Sequence, residues 1–122
     1  MDTDYTSWKK QFGEEVMGRA RFYDDFPKKG VRFMDMFSLT SDAESFEKLN
    51  EGTCKILEQE LGKPGESFDV VVGLESRGFI QGPILAQNFK VPFVPVRKAG
   101  KLPGECHKIE YGTEYSKDVC EI

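Results

Sequence analysis

The sequence predicts an α/β fold, a mostly parallel sheet flanked by helices, on three observations. Phe68-Asp69-Val70-Val71-Val72-Gly73-Leu74 is a short, nearly unbroken apolar run rich in valine, the pattern of a parallel strand covered on both faces. Gly78 to Phe89 then has helical character and Val91 to Val96 reads as the next strand, which gives the order strand, helix, strand. Two segments with apolar residues at helical spacing come before this unit. At 122 residues the chain makes one domain, large enough for a core but near the lower end for a multi-stranded α/β sheet.

Tyr5, Trp8, Phe12, Val16 and Ala20 recur at helical spacing and predict a helix over residues 4–20, weakened by Gly13 and Gly18. Asp24-Asp25-Phe26-Pro27-Lys28-Lys29-Gly30 breaks that pattern with turn residues, and Val31 to Met36 resumes as a loop or short extended segment. Ser41 with Glu44 three residues later is a capping-box signature. Phe46, Leu49, Thr53, Ile56, Leu57 and Leu61 then form the apolar stripe of a second helix, which Lys63-Pro64-Gly65 ends. In the third helix Pro83 is tolerated only near a first turn. Pro92 and Pro95 each remove a ladder donor, which places the second strand near a sheet edge or pairs it on one side only.

Composition narrows the functions available. A net charge of -4 argues against a general nucleic-acid or anionic-membrane binder, so any anion site must be local. No apolar run approaches the roughly 20 residues that span a bilayer, and the first residues lack the apolar segment of a signal peptide. A cytoplasmic protein with no membrane or nucleic-acid partner is the simplest expectation. Cys54, Cys106 and Cys120 are odd in number and widely spaced, which fits neither a disulfide framework nor a zinc motif. No metal ligand set is expected.

Two basic segments carry the chemistry. Arg77 follows a buried strand and precedes a helix, where backbone N–H groups and the helix dipole favour an anion such as phosphate or pyrophosphate. It could instead pair with a carboxylate such as Glu75. Arg97-Lys98-Ala99-Gly100-Lys101 supplies further cations on a loop containing glycine and proline, which reads either as a solvated charge run or as a flap over a ligand. Both segments should leave neighbouring strands at one sheet edge, beyond the carboxyl ends where α/β sheets collect ligands. His107 is the single histidine and, without a partner motif, reads as a loop surface residue.

Three motifs match a known family in order and spacing: Phe26-Pro27-Lys28-Lys29-Gly30-Val31-Arg32-Phe33-Met34-Asp35, Gly73-Leu74-Glu75-Ser76-Arg77-Gly78-Phe79 with Gly82-Pro83, and Val96-Arg97-Lys98-Ala99-Gly100-Lys101-Leu102-Pro103-Gly104. Together they resemble the adenine phosphoribosyltransferase family over about Asp25 to Ile122. The resemblance implies a type I phosphoribosyltransferase fold and the formation of AMP and pyrophosphate from adenine and phosphoribosyl pyrophosphate in purine salvage, with substrate-bound Mg2+ and a homodimer. Residue by residue, it places Ser76 and Arg77 against pyrophosphate through a turn that holds a non-proline cis peptide in the family. It places Arg97 toward the pyrophosphate of the neighbouring subunit and Lys101 on a mobile closing loop. Adenine would lie on Phe33, with main-chain groups of Arg32 and Met34 addressing its edge; family members often have arginine at the position of Met34. Glu110-Tyr111-Gly112-Thr113-Glu114-Tyr115 aligns with a loop that brings a glutamate and a tyrosine to the active site, and Glu114 takes the proton-handling role.

The family also fixes the ribose 5'-phosphate with a later strand ending in two acidic residues and an Ala-Thr-Gly-Gly-Thr loop at a helix N-terminus. Nothing in this sequence matches them. The expectation is therefore an incomplete, C-terminally truncated domain: an N-terminal helix and adenine-side segment over 1–40, a strand-helix-strand core over 41–97, and a flexible loop with a following strand region over 98–122. Such a chain implies either weak adenine phosphoribosyltransferase activity or a non-catalytic isoform that associates with full-length subunits.

Overall fold

The computed structural model describes residues 2–113 and 116–122. They fall into two units, residues 1–60 and 61–122.

In the first unit α1 (Thr3–Arg19) begins at Asp2, whose carboxylate accepts the Asp4 N–H at 2.9 Å. Gly13 and Gly18 do not break it. Its aromatic face is a stacked series, with Tyr5 and Trp8 centroids 5.9 Å apart and Trp8 and Phe12 5.3 Å apart. Phe12 lies on Gly52 of α3 (Ala43–Leu61) so closely that a Cβ there would sit 2.1 Å from its ring; only glycine permits the approach. Arg19 closes the other end, reaching Glu44 at 3.0 Å and the Ser45 hydroxyl at 3.1 Å.

Between these helices run β1 (Arg21–Asp24) and β2 (Arg32–Asp35), paired antiparallel with Tyr23 opposite Phe33. The segment expected to be loop or extended is thus the second arm of a hairpin. Asp25 (φ 57) and Gly30 (φ 88) turn it, and the Gly30 N–H donates to the Asp25 carboxylate at 2.8 Å. The Phe26–Pro27 peptide is cis. A short helix that the periodicity did not reveal, α2 (Phe37–Thr40), places Leu39 at 1% exposure. It also moves the cap of α3. Ser41 is the helical end of α2, so Asp42 caps instead, accepting the Ser45 N–H at 2.9 Å and its hydroxyl at 2.6 Å.

In the second unit β3 (Val71–Leu74), α4 (Gly78–Phe89) and β4 (Phe93–Lys98) form the expected strand, helix and strand. The two strands are parallel, with Val72 opposite Val94 and Leu74 opposite Val96. Close approach explains the glycines: a Cβ at Gly73 would lie 2.7 Å from the Gly78 carbonyl oxygen and 2.6 Å from the Phe93 ring. Ala86 and Phe89 of α4 are buried, and Phe89 meets Phe68 edge-on at 5.3 Å. Pro83 stands inside α4, further from its start than a first turn.

The sheet departs from a mostly parallel one. Its order is β3-β4-β6-β5, and β5 (Lys108–Thr113) and β6 (Ser116–Glu121) enter antiparallel. Adjacent segments joined by so short a connection can pair only in that sense. The segment read as a loop at 110–113 is therefore strand. Strand β4 is interior in order, yet β6 pairs it at Arg97 and Lys98 while β3 pairs it at Phe93 to Val96, so Pro95 sits where pairing is one-sided. The valine run is also less covered than expected: Gly73 is buried, but Val72 and Leu74 on the opposite face are 48% and 64% exposed.

Candidate functional site

The anion side is built at the carboxyl ends of β3 and β4. Their parallel pairing continues one residue beyond Leu74, where the Glu75 N–H donates to the Val96 carbonyl at 2.9 Å. Both basic segments therefore leave adjacent strands at one edge. The turn Glu75-Ser76-Arg77 leads directly into α4, and its Glu75–Ser76 peptide is cis. Ser76 and Arg77 are exposed, and the Arg77 guanidinium makes no hydrogen bond or ion pair among the described residues. It stands at the N-terminus of a twelve-residue helix, where the dipole adds to its charge.

Glu75 pairs with Arg97 rather than with Arg77. Its Oε1 accepts from Arg97 at 3.0 Å and its Oε2 from the Lys98 N–H at 3.1 Å, while Arg97 also donates to the Lys101 carbonyl at 3.2 Å. The Arg97 contact and then the Lys98 N–H hold the Glu75 carboxyl below the ordinary carboxylate range. Glu75, Arg97 and Lys98 border a cavity of about 270 Å³ with Leu74, Val96, Tyr111 and Cys120.

The basic loop after β4 has a buried carboxylate at its base. Glu121, at the end of β6, is 3% exposed. Its Oε1 accepts the Gly100 N–H at 3.1 Å and lies 3.4 Å from the Lys108 ammonium. Gly100 has φ +82, the left-handed conformation that a side chain disfavours. The Gly100 N–H, opposed by burial and aided by Lys108, keeps the Glu121 carboxyl below its ordinary range. Lys101 itself is exposed.

In the first unit, Tyr23, Phe26, Phe33, Asp35 and Phe37 line a cavity of about 370 Å³, a size that suits a small planar ligand. Phe33 meets Phe26 edge-on at 5.1 Å. Strand alternation turns Arg32 and Met34 outward, away from Phe33 and Asp35; Arg32 lies over the Phe22 ring at 5.0 Å and 3.9 Å from Asp24. Among the described residues β2 pairs only with β1, which leaves main-chain groups on its other edge without a strand partner.

A Yarrowia lipolytica protein is 43% identical over 108 residues, 88% of this chain and 58% of its own length, and a Saccharomyces cerevisiae protein is 43% identical over 91% of this chain and 58% of its own. These relatives are adenine phosphoribosyltransferases. The solved adenine phosphoribosyltransferase of Saccharomyces cerevisiae, complexed with an imino-altritol bisphosphate and adenine, superposes with a TM-score of 0.84 at 42% identity, covering 93% of this chain and 63% of that one. The adenine phosphoribosyltransferase of Thermoanaerobacter pseudethanolicus superposes with a TM-score of 0.77 at 43% identity, covering 89% and 60%. The chain thus has the α/β fold of part of these enzymes, and it spans about 60% of the length of the curated relatives it matches. No protein-family model matches it.

Against the adenine phosphoribosyltransferase motifs, Ser76 and Arg77 fall on the turn after β3, Arg97 near the end of β4 and Lys101 on the segment that follows it, and Arg32, Phe33 and Met34 all fall on β2. Glu114 lies outside the described residues. Glu110 of the same motif is exposed on β5, opposite Val119. Sequence reasoning missed Glu121 and the aromatic companions of Phe33. The abundance of aromatic residues between Phe22 and Phe37 was the available signal for the latter. Glu121 gave none, because an acidic residue in a strand reveals its burial only through register. The three cysteines are free, and among the described residues no helix is long and apolar enough to cross a membrane.

Proposed function

We propose that this chain belongs to an adenine phosphoribosyltransferase, forming AMP and pyrophosphate from adenine and phosphoribosyl pyrophosphate in purine salvage. The observation that carries the reading is Arg77: an exposed guanidinium without a partner among the described residues, on a strand-to-helix turn whose sequence matches the family motif. In the reaction the bond between the ribose anomeric carbon and pyrophosphate breaks as adenine N9 bonds to that carbon, and the N9 proton must leave. Negative charge grows on the departing pyrophosphate, so Ser76, Arg77 and Lys101 stabilise departure. Arg97, shared between Glu75 and the ligand, contributes toward the pyrophosphate of the neighbouring subunit. Phe33 offers its ring to adenine, and main-chain groups of Arg32 and Met34 address its edge. A carboxylate of the Glu110 to Glu114 segment takes the proton, Glu114 being the first choice, at a gain of about 10² to 10⁴ in rate.

Among the described residues no three His, Cys, Asp or Glu side chains gather to hold a metal. The residues do not form a magnesium cage, and Mg2+ belongs to the reading only as an ion carried on the donor's phosphate oxygens. A homodimer and a cytoplasmic location are parts of the same proposal. The test is AMP formation from adenine and the donor by the purified chain, with sedimentation velocity for the dimer. We expect turnover far below that of a relative with the full length, since the ribose-phosphate motif has no match here. Full-length-like turnover would refute that expectation. Absence of both adenine and pyrophosphate binding would refute the family function. E110Q and E114Q assayed side by side, in the chain or in a chimera carrying the relatives' remaining length, identify the proton acceptor.

A further inference from the structure

We propose that Glu121 is a positioning residue whose buried carboxylate latches the basic loop after β4 and so presents Lys101 and Arg97 to an anion. The inference deepens the pyrophosphate side of the proposed function and rests on it. Glu121 is 3% exposed, and one of its carboxylate oxygens, Oε2, is buried with no hydrogen-bond partner among the described residues. An orphaned buried acceptor costs free energy, so the favourable contacts must come from the other oxygen. That oxygen takes the Gly100 N–H at 3.1 Å with Lys108 at 3.4 Å. The Ala99 N–H donates to the Val119 carbonyl at 2.9 Å, two residues from Glu121 on the same strand, so two successive loop amides are held by β6.

Arg97 is the register partner of Glu121 across the β4–β6 pair, and its Nε is also buried without a partner among the described residues. Its guanidinium instead spans Glu75 and the Lys101 carbonyl. The loop root is therefore clamped from both sides: Glu121 holds it by an amide, Arg97 by a carbonyl. Gly100 suits this place, because its φ of +82 is a conformation that a side chain disfavours, although the space around it stays open.

The experiment measures amide exchange at position 100 by NMR and pyrophosphate affinity by calorimetry in the wild-type chain, Glu121→Gln and Gly100→Ala. Glu121→Gln keeps the shape and removes the charge. Gly100→Ala meets no atom within 4 Å, so it disturbs the latch through backbone conformation and leaves the buried carboxylate in place. Both substitutions should raise the exchange rate of that amide and the pyrophosphate Kd by about tenfold, the effect of losing one charge-assisted hydrogen bond. Adenine affinity should not change. Unaltered exchange and pyrophosphate affinity in both variants overturn the proposal, and if Glu121→Gln fails to fold, Gly100→Ala decides alone. If the wild-type chain does not bind pyrophosphate, the pyrophosphate side of the proposed function falls, while amide exchange still decides whether Glu121 holds the loop.

Discussion

Arg77 and Arg97 stand at the ends of adjacent strands, yet the fold uses them differently. Arg77 is exposed without a partner among the described residues, whereas Arg97 is tied to Glu75 and to the Lys101 carbonyl. Removing Arg77 should therefore affect binding and leave stability alone. Arg77→Ala is expected to raise the pyrophosphate Kd roughly ten- to hundredfold, as for loss of one charge-assisted hydrogen bond of about 1.5–3 kcal/mol, with Tm unchanged. Arg97→Ala should weaken binding and also lower Tm, because Glu75 and the loop lose an anchor. Calorimetric titration with thermal melts separates the two; a drop in Tm for Arg77→Ala would show that its side chain has structural partners. Phe33→Ala extends the logic to the aromatic cavity, where adenine affinity should fall about tenfold through lost stacking and burial.

At the scale of elements, α1 meets α3 closely where Phe12 occupies the space a Gly52 side chain would need. Gly52→Ala forces the helices apart and should destabilise that unit by about 1–3 kcal/mol, even though alanine favours an isolated helix. Urea melts followed by Trp8 fluorescence check it, and a stabilised variant would mean the ring simply rotates aside. Local signals made much of this architecture legible: the valine run, the helical stripes and the Gly78 to Phe89 segment each report on a single element. What remained hidden depends on pairing. The cap at Asp42 follows from α2, a four-residue helix too short for periodicity to register. Strand β5 includes Glu110 and Gly112, which weaken a strand pattern until β6 lies beside it. The same division holds at the candidate site, where the motifs singled out Arg77 and Phe33, whose roles remain part of the proposal, while Glu121, Tyr23 and Asp35 acquire their places through register.

Five carboxylates among the described residues are held below their ordinary values of 4.5 for glutamate and 3.8 for aspartate: Glu15 by Lys48, Asp42 by Ser45, Glu60 by Lys9, Glu75 by Arg97 and Glu121 by Gly100. A folded-state value below the unfolded one means that the unfolded chain binds protons more readily. Each group therefore stabilises the fold fully above its ordinary value and loses that contribution as pH falls through its folded value. The effects have one sign, so they add. Lys9 and Tyr5 are shifted upward from 10.5 and 10.0, and their titration lies far on the alkaline side. Tm should accordingly be level from pH 7 to about 5 and fall steadily below about 4.5. Glu15, Asp42 and Glu60 lie in the first unit and Glu75 and Glu121 in the second, so hydrogen exchange resolved by residue should show acid loosening in both. Glu75→Gln should flatten the acid limb only for residues 61–122, since it removes one titrating group there and none elsewhere. A Tm independent of pH between about 7 and 3 would show that these contacts are equally present in the unfolded chain or absent from the folded one.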